Sequence, residues 1–349
     1  MTATPKDANP ANTSCHVQLL GVGSDTTCTA ASALLFFDRA RYLFNVGEGF
    51  QRFCVQHRVK MSKISGVLLT RLGPEAAGGL PGMLLTLADG AGGAASGGGL
   101  LAGVEGVGLD LYGPPGLRNL VGAFKTFVNV GELGLQVHET RDEESGGLEG
   151  GAEAGEGGSK ARSGGSMTGD SHPFTAPLVV DTPLVAIHAL TLHPSGSGAE
   201  PEAAAEGGSR KRGRLTEGEP VASRASPALA SAYLCRLADV PGRFLPQKAA
   251  SLGVPRGKAY GQLVRGESVT AANGQTVTPA EVCEPSTPGP VVLVMDCPSM
   301  AYFQSLRAQP DLERCLGDPA WAARLACVVH LAPKEVVEDE RYASWASGF

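Results

Sequence analysis

The sequence predicts an α/β protein organised as a layered, mixed sheet. Three observations lead there. Short apolar runs of strand length alternate with amphipathic, helix-length segments along most of the 349 residues. Two strand-like runs flank the polar tip Asp38-Arg39-Ala40-Arg41, a hairpin signal that argues against an all-parallel sheet. A hydrophobic fraction of 42% is enough for a sizeable core, in one large domain or two small ones.

Residues 1–15 read as a disordered tail. The first strand, His16–Leu20, ends in Gly21-Val22-Gly23-Ser24. Strands Ala33–Phe37 and Tyr42–Asn45 follow, and the second runs into Gly47-Glu48-Gly49 and a helix over Phe50–His57. Strand Gly66–Thr70 enters the Gly/Pro loop TRLGPEAAGGLPG (Thr70–Gly82), from which a helix starts at Leu80 and runs to Leu87. Strand Leu109–Tyr112, the turn Gly113-Pro114-Pro115-Gly116 and a helix over Leu117–Val128 come next. Strands Leu184–Leu192, Ala232–Leu237, Val291–Met295 and Cys327–Leu331 follow, with helices at about 299–309 and over Lys334–Phe349.

Three tracts, at about 89–108, 141–170 and 195–226, are rich in Gly, Ala or acid and read as insertions too poor in apolar surface to offset chain entropy. They hold much of the excess of Gly (48) and Pro (24). The net charge of -6 excludes a uniformly basic nucleic-acid binder but leaves room for a local basic patch. The eight cysteines are scattered without a CxxC pair, which reads as free thiols in a reducing compartment. No apolar run approaches the ~18 residues of a membrane helix, so no membrane partner is expected. The N-terminus lacks both an apolar signal core and arginine, so it suits neither secretion nor a mitochondrial presequence.

The chemistry is mostly negative. A two-metal hydrolase needs clustered His and carboxylates, yet the seven His form no HxH or HxxxH pair. His188 and His193 are five apart on or beside a strand, which points them to opposite faces; they read as structural or loop residues. There is no Gly-x-Ser-x-Gly elbow and no phosphate-cradling Gly-Lys-Ser/Thr loop. Asp296 ends an apolar strand, where α/β sheets place reactive groups, but without His neighbours the preferred reading is a turn residue bonding local backbone. The stretch Pro241–Gly266 carries Arg243, Lys248, Arg256, Lys258 and Arg265 against no acid, interleaved with Pro255, Gly257, Tyr260 and Gly261. Its prolines and glycines preclude a long helix. A phosphate-rich partner and a plain solvated loop are equally open on composition.

Several motifs then occur in one order: Leu20–Ser24, Leu43–Arg52, Thr70–Gly82, Leu111–Leu117, Leu252–Leu263, Val294–Cys297 and Val329–Pro333. Together they resemble the tRNase Z family, endonucleases that trim the 3′ trailer from precursor tRNA. The resemblance covers about 16–349 and implies a metallo-β-lactamase-like αββα four-layer sandwich. It implies structural roles for Gly21, Gly23, Gly47, Glu48, Gly49, Gly113 and Gly116. It also implies that a segment at about 238–290 is a flexible RNA-binding arm, with Arg243, Lys248, Pro255, Arg256, Gly257, Lys258, Tyr260, Gly261 and Arg265 as its contact residues.

The departures are as informative. Catalytic members carry Thr-His-x-His-x-Asp-His in the loop, and here the three His positions hold Arg71, Gly73 and Ala76 while the Asp position holds Glu75. None of these offers zinc a nitrogen donor. Asn45 stands where catalytic members carry Asp, and Leu331 where they place Glu after His330. The resemblance is thus to the N-terminal half of a long-form enzyme, in which Arg71, Gly73, Glu75, Ala76 and Asp296 mark a degenerate metal site. It implies no catalytic residue, metal or cofactor in this chain, zinc in a catalytic half supplied in cis or in trans, and precursor tRNA as the other partner. Whether the chain counts as an enzyme turns on that missing half. The other readings are a free-standing hydrolase of this fold with an atypical metal site, and a pseudoenzyme scaffold without RNA binding. Arg210-Lys211-Arg212-Gly213-Arg214 suggests nuclear import or a solvating charge run; the nucleus is the expected compartment, and the mitochondrion the second by family.

Overall fold

The computed structural model describes residues 13–21, 30–95, 108–130, 133–140, 173–195 and 229–349. Of the expected tail and insertions, 1–12, 96–107, 141–170 and 196–226 lie outside these residues, as do Gly23 and Arg210–Arg214.

The first sheet holds β1 (Cys15–Leu20), β2 (Ser32–Phe37), β3 (Arg41–Phe44), β4 (Gly66–Leu68), β5 (Gly108–Gly113) and β6 (Gly134–Glu139), side by side in chain order. β1 and β2 pair antiparallel, as do β2 and β3 through the hairpin over Asp38–Arg41, and β3–β4, β4–β5 and β5–β6 pair parallel. Helices α1 (Phe50–Gln56), α2 (Pro74–Ala77), α3 (Leu80–Ala95) and α4 (Leu117–Phe124) accompany this sheet, and α1, α3 and α4 cover its outer face.

The second sheet begins with β7 (Leu178–Asp181), β8 (Val185–Leu192) and β9 (Ala230–Leu237). The chain then leaves the sheet to build a small module from α5 (Pro246–Ser251), α6 (Lys258–Val264), the short hairpin β10 (Val269–Thr270) and β11 (Thr276–Val277), and α7 (Pro279–Val282). It returns as β12 (Val291–Met295), passes through α8 (Phe303–Arg307), α9 (Pro310–Gly317) and α10 (Pro319–Ala322) to β13 (Leu325–His330), and closes with α11 (Lys334–Val337) and α12 (Glu340–Ala346). The strand order is β13-β12-β9-β8-β7.

Strand alternation sorts the side chains into layers. Ala33, Leu35 and Phe37 of β2 face Ile187, Tyr233, Cys235, Val292 and Val294 of the second sheet. Leu34 faces the outer helices instead, with Leu43, Val67 and Leu111. Leu234, Leu293 and Met295 face Phe303, Leu312 and Tyr342 on the far side. Each such side chain fully buried contributes about 1.5–3 kcal/mol. The result is the expected αββα sandwich, two sheets face to face with a helical layer on each outside.

Several elements differ from the sequence reading. Helix α3 runs on to Ala95, into the tract read as an insertion from residue 89, because alanines interleaved with its glycines sustain helical propensity. Helix α4 ends at Phe124, four residues before the expected Val128. β6 and β7 were not expected; each is a short sheet edge, and pairing with β5 and β8 creates them. The segment at 299–309 divides into a 3-10 turn, Met300–Tyr302, and α8, and the helix expected over Lys334–Phe349 breaks where Asp339 caps α12 by accepting from the Arg341 N–H (2.9 Å). The basic segment read as an irregular loop contains α5 and α6, both short, as its prolines and glycines require.

The sheets are pinned together by Tyr233 of β9, whose buried hydroxyl donates to the Leu69 carbonyl at 2.7 Å. Tyr233→Phe removes that bond and is expected to cost about 1–3 kcal/mol. Urea unfolding should show a lower midpoint at unchanged slope; an unchanged midpoint would show that the bond does not hold the sheets.

Candidate functional site

Three strand ends converge. β3 and β4 are parallel neighbours, so Asn45 and Thr70 leave the first sheet side by side, and Asn45 N–H donates to the Leu68 carbonyl at 3.0 Å. Asp296 leaves β12 on the opposite sheet. Asn45 has φ 63°, a left-handed conformation that Asn tolerates better than most residues. That turn aims its side-chain oxygen at Thr70, whose N–H donates to it at 2.9 Å. The Thr70 hydroxyl lies 3.0 Å from the same oxygen and 2.5 Å from Asp296 Oδ2, to which it donates. Ser231 N–H of β9 donates to the Thr70 carbonyl at 2.7 Å.

Arg71, next in the chain, places Nε 3.2 Å from Asp296 Oδ2, a contact of charges rather than an aligned hydrogen bond. Asp296 is wholly buried, and its Oδ1 has no hydrogen-bond partner among the described residues. Burial holds its pKa above the usual carboxylate range; Arg71 and Thr70 pull it down and Glu75 pushes it up. Asp296 is therefore not the locally bonded turn residue that the sequence suggested, since its partners come from the other sheet. Local bonds were expected because no sequence pattern shows which strand end lies opposite.

The loop itself is set by close backbone approach. Val46 N–H donates to the Ala76 carbonyl (2.7 Å) and Gly79 N–H to the Val46 carbonyl (2.8 Å). A Cβ on Gly47 would collide with Ala30 and the Glu75 carbonyl, and one on Gly79 with the Gly47 carbonyl. Glu48 is exposed, and Gly49 and Gly116 start α1 and α4 in left-handed conformations. Gly113 packs against Leu117 and Leu69, and Gly21 has φ 74°.

Of the site residues read from the loop, Arg71 contacts Asp296 and Glu75 acts on its charge, and the set does not fit a zinc ion. Arg71 brings a cation to the carboxylate, Gly73 and the buried Ala76 offer no donor, and Glu75 is the one added acid. Among the described residues no three His, Cys, Asp or Glu side chains are grouped to hold a metal. His188 is buried with Nδ1 donating to the Ala176 carbonyl at 2.8 Å, and His193 N–H donates to Ser305 Oγ at 3.0 Å. His330 lies 2.8 Å from the Tyr342 hydroxyl, with its pKa lowered by burial. Ser231, Tyr233 and Tyr342 escaped the sequence reading; the one signal was a phenol inside the apolar run of β9.

The second candidate surface is the module between β9 and β12. It has its own core of Ala249, Val254, Leu263, Ala271, Val277 and Val282. Arg243, Lys248, Arg256, Lys258 and Arg265 are all exposed, as are Pro255, Gly257 and Gly261. Arg265 pairs with Glu267 at 3.5 Å, whereas the other four cations have no ion pair among the described residues. Tyr260 is half-buried, its ring 5.0 Å from Phe244 and its hydroxyl donating to the Pro246 carbonyl at 3.3 Å, so it packs the module rather than offering a free stacking face.

Comparison with known proteins agrees with this geometry. The family profile of the tRNase Z endonuclease matches residues 20–79. "tRNAse Z TRZ4, mitochondrial" of Arabidopsis thaliana is 36% identical over 348 residues, which is 98% of this chain and 32% of the relative. "Zinc phosphodiesterase ELAC protein 2" of Rattus norvegicus is 30% identical over 345 residues, 96% of this chain and 37% of the relative. The crystal structure of a long form RNase Z from yeast superposes with a TM-score of 0.54 at 15% identity, over 95% of this chain and 34% of that one. The fold is metallo-β-lactamase-like, and the chain spans about a third of the length of these relatives.

Arg71→Ala leaves a buried carboxylate without its counter-charge and is expected to cost about 3–5 kcal/mol near neutral pH. Arg71→Met with Asp296→Leu removes both charges and should cost much less. The single variant should also carry a pH signature. A carboxyl whose folded pKa is raised keeps its proton in the native state, so stability falls as pH rises from the unfolded value through the folded one. Loss of Arg71 raises that folded value further, so the deficit should be smallest in acid and grow towards neutrality. Thermal melts across pH check this, and a pH-independent deficit would rule out Asp296 as the group responsible.

Proposed function

We propose, from a chain that is a relative of the tRNase Z family along 98% of its own length and 32% of the relative's, that it serves as the arm-bearing, non-catalytic half of a tRNA 3′-processing endonuclease. One observation carries the reading. The same chain fills its strand-end site with Arg71 and presents, on a separately folded arm, four exposed cations that have no ion pair among the described residues. A chain so built grips polyanion and leaves hydrolysis to another domain.

Lys248, Arg256, Lys258 and Arg243 contact the phosphate backbone, since exposed cations without protein partners release counterions on binding. Tyr260 supports them by holding α6 against Phe244. A catalytic half, in cis or in trans, would hold zinc, which would supply activated water for phosphodiester hydrolysis. This chain's residues bind and orient the precursor. The compartment has two readings. The name of the TRZ4 relative says mitochondrial, while Arg210–Arg214 has the composition of a nuclear import signal. In a fluorescent fusion, replacing those four cations with Ala should abolish nuclear signal; unchanged nuclear signal would show that another feature directs import.

Replacing Arg243, Lys248, Arg256 and Lys258 with Ala should lower precursor-tRNA affinity by on the order of 10- to 100-fold and reduce the salt slope by roughly three to four. Purified alone, the chain should release no trailer, and cleavage by a separately made catalytic half should rise when it is added. Unchanged affinity and slope would favour the scaffold reading. Stoichiometric zinc with trailer release by the chain alone would favour the free-standing hydrolase.

A further inference from the structure

The arm is mounted on a ribbon that continues the sheet. β9 and β12 pair antiparallel, Val291 with Arg236 and Val292 with Cys235. The same register runs on outside the sheet: Leu237 N–H donates to the Pro290 carbonyl (3.0 Å), Val240 and Thr287 exchange bonds of 2.9 Å, and Leu245 N–H donates to the Val282 carbonyl (2.8 Å). The ribbon is close-packed as well, since a Cβ on Gly242 would collide with the Glu284 carbonyl and one on Gly289 with the Leu237 carbonyl. The ladder is weakened next to the sheet, as it is farther out at Pro285. Pro288 and Pro290 have no N–H, so the returning strand cannot donate there.

Asp239 stands at that gap. Its Oδ1 accepts from the Gly289 N–H at 2.7 Å, and its Oδ2 lies 3.9 Å from Nη2 of Arg236, whose side chain is only 10% exposed. We propose that Asp239 is a positioning residue for RNA binding: it clamps the ribbon where the arm leaves the body and so fixes where the arm's cations point. The proposal rests on the RNA-binding reading above. As an acid, Asp239 has the wrong charge to grip RNA itself, which gives the idea a sign. If only charge matters, losing an acid near a basic arm tightens binding to a polyanion. If clamping matters, losing the acceptor weakens it.

The test uses the whole chain with Asp239→Ala and Asp239→Asn. Asn keeps an acceptor for the Gly289 N–H and drops the charge. Labels at the exposed Ser268 of the arm and Gln56 of α1 report the arm–body distance distribution. Asp239→Ala should broaden that distribution and weaken tRNA binding several-fold at unchanged salt slope, because every phosphate contact remains. Asp239→Asn should restore both. Should Asp239→Ala fail to fold, the Arg236→Leu, Asp239→Ala double variant removes the buried charge with its partner and is expected to broaden the distribution likewise. A narrow distribution, or tighter binding by Asp239→Ala, would overturn the proposal. A wild-type chain that binds no tRNA would overturn the functional reading instead, and the distance distribution would still decide whether Asp239 sets the arm.

Discussion

The junction at Thr70 is the constraint on which the rest depends. One residue bonds through its N–H to the end of β3, through its hydroxyl to the end of β12 and through its carbonyl to β9. Two sheets packed only by apolar side chains retain freedom to slide, because apolar attraction has no direction. Hydrogen bonds at a buried junction have direction, and leaving any of them unmade costs the desolvation of its partner. The Tyr233 bond to the neighbouring Leu69 carbonyl fixes the same crossing from the other side.

That junction explains how these strand ends hold together where no metal-binding cluster is grouped among the described residues. A buried carboxylate at three converging strand ends needs a positive partner or a proton. Arg71 supplies the charge from within the loop, and burial favours the proton, so the two remedies share the task. Because the guanidinium is covalently part of the loop, the strand ends stay together without any ion. The same loop keeps the glycines at 47 and 79 because the backbones they separate touch directly. Loop shape and side-chain chemistry are separable properties: backbone contacts fix the first, and Arg71 with Asp296 sets the second.

The arm follows a different logic. It has a core of its own, so its cations sit on a folded platform instead of a floating tail. Its link to the body is a hydrogen-bonded ribbon in register with β9 and β12. Its exposed cations are thus carried away from the acidic remainder of a chain with net charge -6. Spatial separation keeps the local basic field from being cancelled.

The sequence by itself determined the strands and helices whose apolar period was strong, the glycine-bounded loops, the absence of His at Arg71, Gly73 and Ala76, and the run of arm cations. Those features are local: period, spacing and donor chemistry lie within a few residues of one another. Tertiary structure alone decided that Asp296 accepts a hydrogen bond from Thr70 and pairs in charge with Arg71, both more than two hundred residues earlier. It alone created the edge strands β6 and β7, whose short runs become strands by pairing, turned Tyr260 inward against Phe244 and set Asp239 at the gap left by two prolines. Each of these depends on which chain segments lie side by side, and no local pattern of residues encodes that.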